Sequence, residues 1–389
     1  MAVYLDCNAT TPIEKEVSDK VNHFLVAEFG NEGSHTHEHG MRARKAVQEA
    51  RDHVGKVLDV TRNEIIFTSG ATESNNLAIL GLKEFGINNK KKHIISSVIE
   101  HKAVLEPLEQ LRKDGFKIDL IPCEKDGRID CEKIIRKVRP DTLLVSLMHV
   151  NNETGIRQPI QALCAEFEDL EKSFSSSNYN PKDCFLHVDA AQGFGKDIET
   201  LRNKRIDLIS ISGHKIYGPK GIGALITKLR NFKKPPLKPL FFGGGQEHKL
   251  RPGTLPVHLI AGLGEAAKIA LRDIKKRKEL NNKIFDQIKE LINAIAGKIN
   301  GDPKHLLGNC INFSIPKVDA EAFMLSTKDL IAVSNGSACT STTYEPSHVI
   351  KAITEDKDRI RGAIRISWCH LTREKIPIAE IKKRLNNLA

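Results

Sequence analysis

Phe185-Leu-His-Val-Asp-Ala-Ala-Gln192 and Leu208-Ile-Ser-Ile-Ser-Gly-His-Lys215 are short apolar runs, each passing directly into a turn of small and polar residues. Their apolar parts, Phe185–Val188 and Leu208–Ile211, have the length and continuity of strands buried on both faces. Similar runs occur at Glu64–Thr68, His93–Val98, Lys117–Ile121, Thr142–Met148 and Ala224–Ile226. Helical patterns lie between them, at Ser74–Glu84, Lys102–Asp114 and Asp130–Lys137. Strands alternating with helices predict an α/β sheet covered on both faces. Functional groups of such sheets gather at the carboxyl ends of the strands, where these runs become turns.

Beyond this block the character of the chain changes. A polar, turn-forming stretch covers 170–183, and Lys233–Pro239 leads to Gly243-Gly244-Gly245. A long helical pattern runs from Leu259 to about Lys289, with apolar positions at Ile269, Ile274, Leu280, Ile284 and Ile288. Shorter elements follow, which predicts a second, smaller domain. There is no internal repeat.

Of the 389 residues, 40% are hydrophobic and 28% charged, the balance of an ordered globular protein. No apolar run is long enough to span a bilayer. The N-terminus has neither a basic region nor an apolar core of the signal-peptide kind, so the expected location is the cytoplasm. The eight cysteines, at 7, 123, 131, 164, 184, 310, 339 and 369, form no CxxC pair and no disulfide framework. They are expected to be reduced, and most to be buried small hydrophobes. The net charge is +11, concentrated in Lys90–Lys92, Lys275-Lys276-Arg277-Lys278 and Lys382-Lys383-Arg384. These read as solvated surface. No aromatic–basic interleaving accompanies them, so direct nucleic-acid binding is not expected.

The turns carry the chemistry. Lys215 lies in Ser212-Gly213-His214-Lys215, downstream of Asp189. An amine able to form a Schiff base, with a carboxylate able to pair with a pyridinium nitrogen, is the requirement of a pyridoxal phosphate enzyme. Thr68-Ser69-Gly70-Ala71-Thr72-Glu73-Ser74 follows a strand and opens a helix, so its amides and the Thr72 hydroxyl can hold a phosphate. His101 ends another strand, where it can lie on a flat cofactor and handle protons. Cys339 sits in the small-residue stretch Ser334–Ser341 and is the candidate sulfur nucleophile. His35, His37 and His39 alternate in an extended stretch, but no carboxylate or cysteine completes a familiar ligand set, and no metal is expected.

These ordered motifs resemble the NifS/IscS-type cysteine desulfurases of the aspartate aminotransferase-like superfamily. The resemblance runs from Tyr4–Pro12 through Phe29–Asn31, Thr68–Asn76, Glu100–Val104, Met148–Gly155, His187–Gln192, Ser212–Gly221, Gly243–Pro256 and Ser334–Pro346 to Ile364–Ser367. It implies a large domain at 13–258 with a mostly parallel seven-stranded sheet. Residues 1–12 and 259–389 would form a smaller α/β domain carrying a mobile cysteine loop at about 334–347. It implies a homodimer that binds pyridoxal phosphate and converts L-cysteine to L-alanine, with a persulfide on Cys339. By the same resemblance Lys215 anchors the cofactor, Asp189 faces its ring nitrogen, Gln192 its hydroxyl and His101 its face. Ala71, Thr72, Ser212 and His214 hold the phosphate, with Thr254 reaching in from the partner subunit. Asn31, Asn152 and Arg365 grip the substrate carboxylate, and Asn152 also touches the cofactor. The cysteine segment is similar to that of class I members. Glu32 stands where the family often has proline, about a dozen residues near 173–183 look inserted, and little C-terminal extension follows Arg365. These departures leave the sulfur acceptor open among proteins of iron–sulfur cluster assembly, tRNA thiolation and DNA phosphorothioation. A selenocysteine lyase, or a β-lyase independent of Cys339, is the alternative activity.

Overall fold

The computed structural model describes residues 2–173, 184–336 and 346–386. The expectations for Cys339 and for most of its loop fall outside these residues, as does most of the inserted segment.

Twelve strands are found among the described residues: β1 (Val3–Tyr4), β2 (Ile65–Thr68), β3 (His93–Ser97), β4 (Lys117–Ile121), β5 (Thr142–Met148), β6 (Phe185–Asp189), β7 (Leu208–Ser212), β8 (Gly223–Thr227), β9 (Lys298–Ile299), β10 (Cys310–Ser314), β11 (Ile331–Ala332) and β12 (Ala363–Ser367). Strands β2 to β8 form the expected seven-stranded sheet, in the order β2-β8-β7-β6-β5-β3-β4. β8 is antiparallel to both its neighbours, and every other pairing is parallel. The exception follows from chain length. Only the short turn after Ser212 separates β7 from β8, whereas parallel neighbours need a long crossover. β2, β3, β5, β6 and β7 therefore all end at one edge. Every residue of these five strands is buried, which is why their sequences read as continuous apolar runs.

The helix Val257–Ala294 spans 38 residues and serves two cores. Its first half buries Val257, Ile260, Leu263 and Ala267 in the core of the large sheet. Its second half buries Ile284, Ile288, Leu291 and Ile292 in a separate core with Leu5, Ile311, Phe313, Ile364 and Trp368. Gly264 permits the close approach of the first half to the helix Glu38–Leu58: a Cβ there would lie 2.5 Å from the Ala50 Cα. The second core backs the antiparallel sheet β12-β10-β9, and β1 pairs with β11. The Cys7 amide donates to the Ser367 carbonyl at 3.0 Å, stitching the chain's first residues to β12.

Two expectations need correction. The helix expected at Ser74–Glu84 is two helices, Ala71–Leu80 and Lys83–Asn88, because the Gly81 carbonyl leaves the helical ladder to accept from the Lys238 amide at 2.9 Å. The basic run at 275–278 is not all solvated surface. Arg277 is 6% exposed, its guanidinium 4.7 Å from the Tyr217 ring centre and its Nη2 donating to Glu14 at 2.8 Å. The described cysteines are all unpaired, and Cys7, Cys164, Cys184, Cys310 and Cys369 are buried. Among the described residues no helix is long and apolar enough to cross a membrane.

Candidate active site

A cavity of about 520 Å³ opens at the carboxyl edge of the large sheet. Each strand ending there contributes a turn. Ala71 and Thr72 follow β2, His101 follows β3, Asn152 follows β5, and Asp189 with Gln192 ends β6. Ser212, His214 and Lys215 end β7, and Arg365 enters from β12.

The helix beginning at Ala71 has no side-chain cap, so its first amides are available to an anion. Its opening turn is braced instead by Glu73, which accepts from the Ser69 amide at 2.7 Å and from Arg251 Nε at 2.9 Å. Gly223 on β8 lets this turn sit low. A Cβ there would lie 2.4 Å from the Ile211 carbonyl oxygen and 2.7 Å from the Gly70 Cα.

Asp189 is buried and held from two sides: Asn75 Nδ2 donates to Oδ2 at 2.8 Å and the Ala191 amide to Oδ1 at 2.9 Å. Lys215 Nζ donates to the carbonyls of Asn8 and Ala9, the latter at 2.8 Å. Gln192 Nε2 donates to the Asn8 carbonyl at 3.0 Å, while its buried Oε1 has no partner among the described residues. His101 caps its helix, its Nδ1 accepting from the Ala103 amide at 3.0 Å. That bond leaves the neutral ring's proton on Nε2. Burial, with help from Lys215, holds the His101 pKa below the usual imidazole range. Burial and the nearby lysines Lys215 and Lys220 push that of His214 down to about 4. Both rings are therefore neutral near pH 7.

Arg365 is 3% exposed. Nη2 donates to Asp6 Oδ1 at 2.7 Å and Nη1 to the Asn152 carbonyl at 3.1 Å, while buried Nε has no partner among the described residues. Burial is the largest influence and opposes its charge, but Asp6, Cys310 and Glu153 together outweigh it and raise the pKa. Gly336 and His348 also line this cavity, from either side of the stretch that contains Cys339.

Asn31 is not at the cavity, and neither is Thr254, which is expected at the partner's site rather than at this one. Asn31 is exposed, its Oδ1 accepting from the Gly33 amide at 2.8 Å, and Thr254 is also exposed. The three clustered histidines have separate tasks. His37 caps the helix Glu38–Leu58, His39 stacks on Phe29 with centroids 5.7 Å apart, and His35 contacts Arg44. No group of three potential metal ligands is found among the described residues.

Sequence reasoning gave no role to Asp6, Asn8 and Asn75. The first two lie within Tyr4–Pro12 and Asn75 within Thr68–Asn76, but no local pattern marks a residue that acts by holding another. Glu100, beside His101, is fully buried, and burial pushes its carboxyl up to about 8.

Comparison with known proteins gives concordant results. The family model for aminotransferase class-V matches residues 3–376. The chain is 42% identical over 382 residues to the cysteine desulfurase IscS of Rickettsia bellii (strain OSU 85-389), covering 96% of this chain and 88% of that protein. The crystal structure of DndA from Streptomyces lividans is 44% identical, with a TM-score of 0.79, covering 94% of this chain and 99% of that one. A structure described as SspA in complex with cysteine is 33% identical, with a TM-score of 0.80 over 94% of this chain and 99% of that one.

Proposed function

We propose the following division of labour for a chain that belongs to the aminotransferase class-V family and, within it, to the pyridoxal phosphate-dependent cysteine desulfurases. Its substrate is L-cysteine. The observation that carries the assignment of roles is the convergence of Lys215, Asp189, His101, an uncapped helix N-terminus and Arg365 on one cavity.

The residues present fit the cofactor. An anion site without a side-chain cap, a buried carboxylate and an unpartnered Gln192 Oε1 match its phosphate, ring nitrogen and ring hydroxyl. The amides of Ala71 and Thr72, the hydroxyls of Thr72 and Ser212, and His214 would hold the phosphate. Lys215 would anchor the aldehyde carbon, Asp189 the ring nitrogen and Gln192 the ring hydroxyl, with His101 over the ring. When bound, the cofactor supplies an electron sink for the pair left when the substrate loses its α-proton.

Arg365 binds the substrate carboxylate, its Nε being without a partner among the described residues, and Asn152 assists. Lys215 Nζ takes the α-proton. His101 serves as a donor, since its Nδ1 is occupied and its proton lies on Nε2. The Cys339 thiolate forms a bond to the substrate sulfur as the substrate Cβ–S bond breaks. The electron pair of that bond stays with the carbon fragment, which gains protons and leaves as alanine. Cys339 keeps the sulfur as a persulfide, so cysteine and thiol balance alanine and persulfide.

The working enzyme is a homodimer. Phe29, Met41 and Phe242 are 72%, 62% and 88% exposed, and a second copy would cover them. It would also bring Thr254 of the partner subunit to the phosphate and recruit the exposed Asn31. Residues 13–258 form the cofactor-bearing domain, with 1–12 and 259–389 forming the smaller one. The sulfur passes to an acceptor protein of iron–sulfur cluster assembly, tRNA thiolation or DNA phosphorothioation. The cytoplasm, where thiols stay reduced, suits such an enzyme.

The test compares the cofactor-loaded protein with Lys215→Ala in alanine formation from L-cysteine. The variant should form none and lose the cofactor's visible absorbance. Parental alanine formation, with borohydride-trappable cofactor, would remove Lys215 from the scheme.

A further inference from the structure

A second cavity, of about 320 Å³, lies where residues of the two cores meet. Its wall carries four cations, Arg157, Lys196, Arg277 and Lys278, against one carboxylate, Asp197. That carboxylate is already engaged, by His149 Nε2 at 3.1 Å and Thr200 Oγ1 at 3.1 Å. Arg277 spends Nη2 on Glu14, and its buried Nε has no partner. Among the described residues the side chains of Arg157, Lys196 and Lys278 make no hydrogen bond or ion pair. Burial pushes the Lys196 pKa down to about 8. Arg277 is buried and Lys196 half-buried beside the exposed Arg157 and Lys278, and an anion in the cavity would offset the desolvation of these charges.

We infer that this cavity binds a compact phosphate-type polyanion, such as pyrophosphate or a small phosphorylated metabolite. A single planar carboxylate would use the two-toothed face of one arginine, such as Arg157, and leave the remaining cations unmet. Charges arriving from three separate elements suit a compact ion with oxygens in several directions. Those elements are the turn at Arg157, the turn at Lys196 and the long helix. Asn281 adds an amide whose buried Oδ1 has no partner, suited to a hydroxyl or a protonated phosphate oxygen.

The cavity shares its walls with the first. Gln192 faces the first cavity, and Lys196 ends the same turn facing the second, with its amide bonded to the Gly193 carbonyl at 3.0 Å. Lys215 faces the first and Tyr217 the second. The Tyr217 amide donates to Thr11 Oγ1 at 3.1 Å. An anion in the second cavity thus steadies the two turns that carry Gln192 and Lys215.

Calorimetric titration of the cofactor-loaded protein with pyrophosphate, at constant ionic strength in chloride, tests this. Citrate serves as the carboxylate control. Saturable binding is expected, with the cofactor's visible absorbance unchanged. It should weaken at least tenfold in Lys196→Met, and several-fold in Arg157→Ala and Lys278→Ala, two exposed positions where folding is not at stake. The inference is overturned by no heat beyond the chloride control, by equal binding in all three variants, or by citrate binding as tightly. Binding seen only with loss of cofactor absorbance would overturn it too, since that places the ion in the first cavity.

Discussion

Glu100→Gln isolates one buried proton beneath the active site. The Glu100 carboxyl is fully buried. Oε1 accepts from Ser97 Oγ at 2.6 Å and from the Met148 amide at 3.0 Å, while Oε2 has no partner. Burial pushes its pKa from 4.5 to about 8, so near neutral pH the folded protein holds a proton that the unfolded chain releases. The stabilisation linked to that proton is complete below the unfolded value. It is lost as pH rises toward the folded one, at about 1.4 kcal/mol per pH unit. Glutamine has the same shape, keeps the Oε1 acceptor and cannot titrate. Its unpaired amide costs about 1–3 kcal/mol, independently of pH. The difference in stability between variant and parent should therefore move in the variant's favour by about 3 kcal/mol between about pH 5.5 and 7.5. Denaturant unfolding of the two proteins at equal concentration and equal cofactor loading measures it. A difference that stays constant across that range would mean that Glu100 is ionised in the fold, and the burial argument would fail.

Arg365→Ala should raise the KM for cysteine at least thirtyfold while cofactor binding persists, because removing one partner of a desolvated charge pair costs about 2–5 kcal/mol; an unchanged KM would move the carboxylate site elsewhere. In Gly223→Ala the new Cβ would press on the Ile211 carbonyl oxygen and the Gly70 Cα, at 2.4 and 2.7 Å. Displacing the phosphate-binding turn at a cost of about 1–3 kcal/mol should weaken cofactor binding about tenfold, measured by equilibrium dialysis, and parental affinity would show that the turn bears no phosphate.

The large sheet was legible because its central strands are buried on both faces, so that Thr142–Met148 and Leu208–Ser212 advertise themselves as unbroken apolar runs. The order of the strands depends on crossovers that no local pattern records. Strands of two residues such as β1 and β11 exist only through their pairing and left no trace. In the site, the residues set in strand-end turns could be read, because Gly, Ser, His and Lys are conspicuous after apolar runs. Their supports could not. Asn75 matters only because folding sets its amide 2.8 Å from Asp189, and Asp6 only because β12 delivers Arg365 to it. Arg277 was misread for the same reason: a basic run looks solvated until Tyr217 and Glu14 are placed against one member of it.

The central claim is that sulfur leaves cysteine by direct transfer to Cys339. One turnover of the cofactor-loaded enzyme with L-cysteine, without any acceptor, followed by mass spectrometry of the peptide containing residue 339, tests it most directly. The account predicts one added sulfur atom on Cys339 in an amount equal to the alanine formed, and neither product in Cys339→Ser. Alanine with free sulfide and an unmodified Cys339, or a serine variant as active as its parent, would contradict it and establish a lyase that does not use this cysteine.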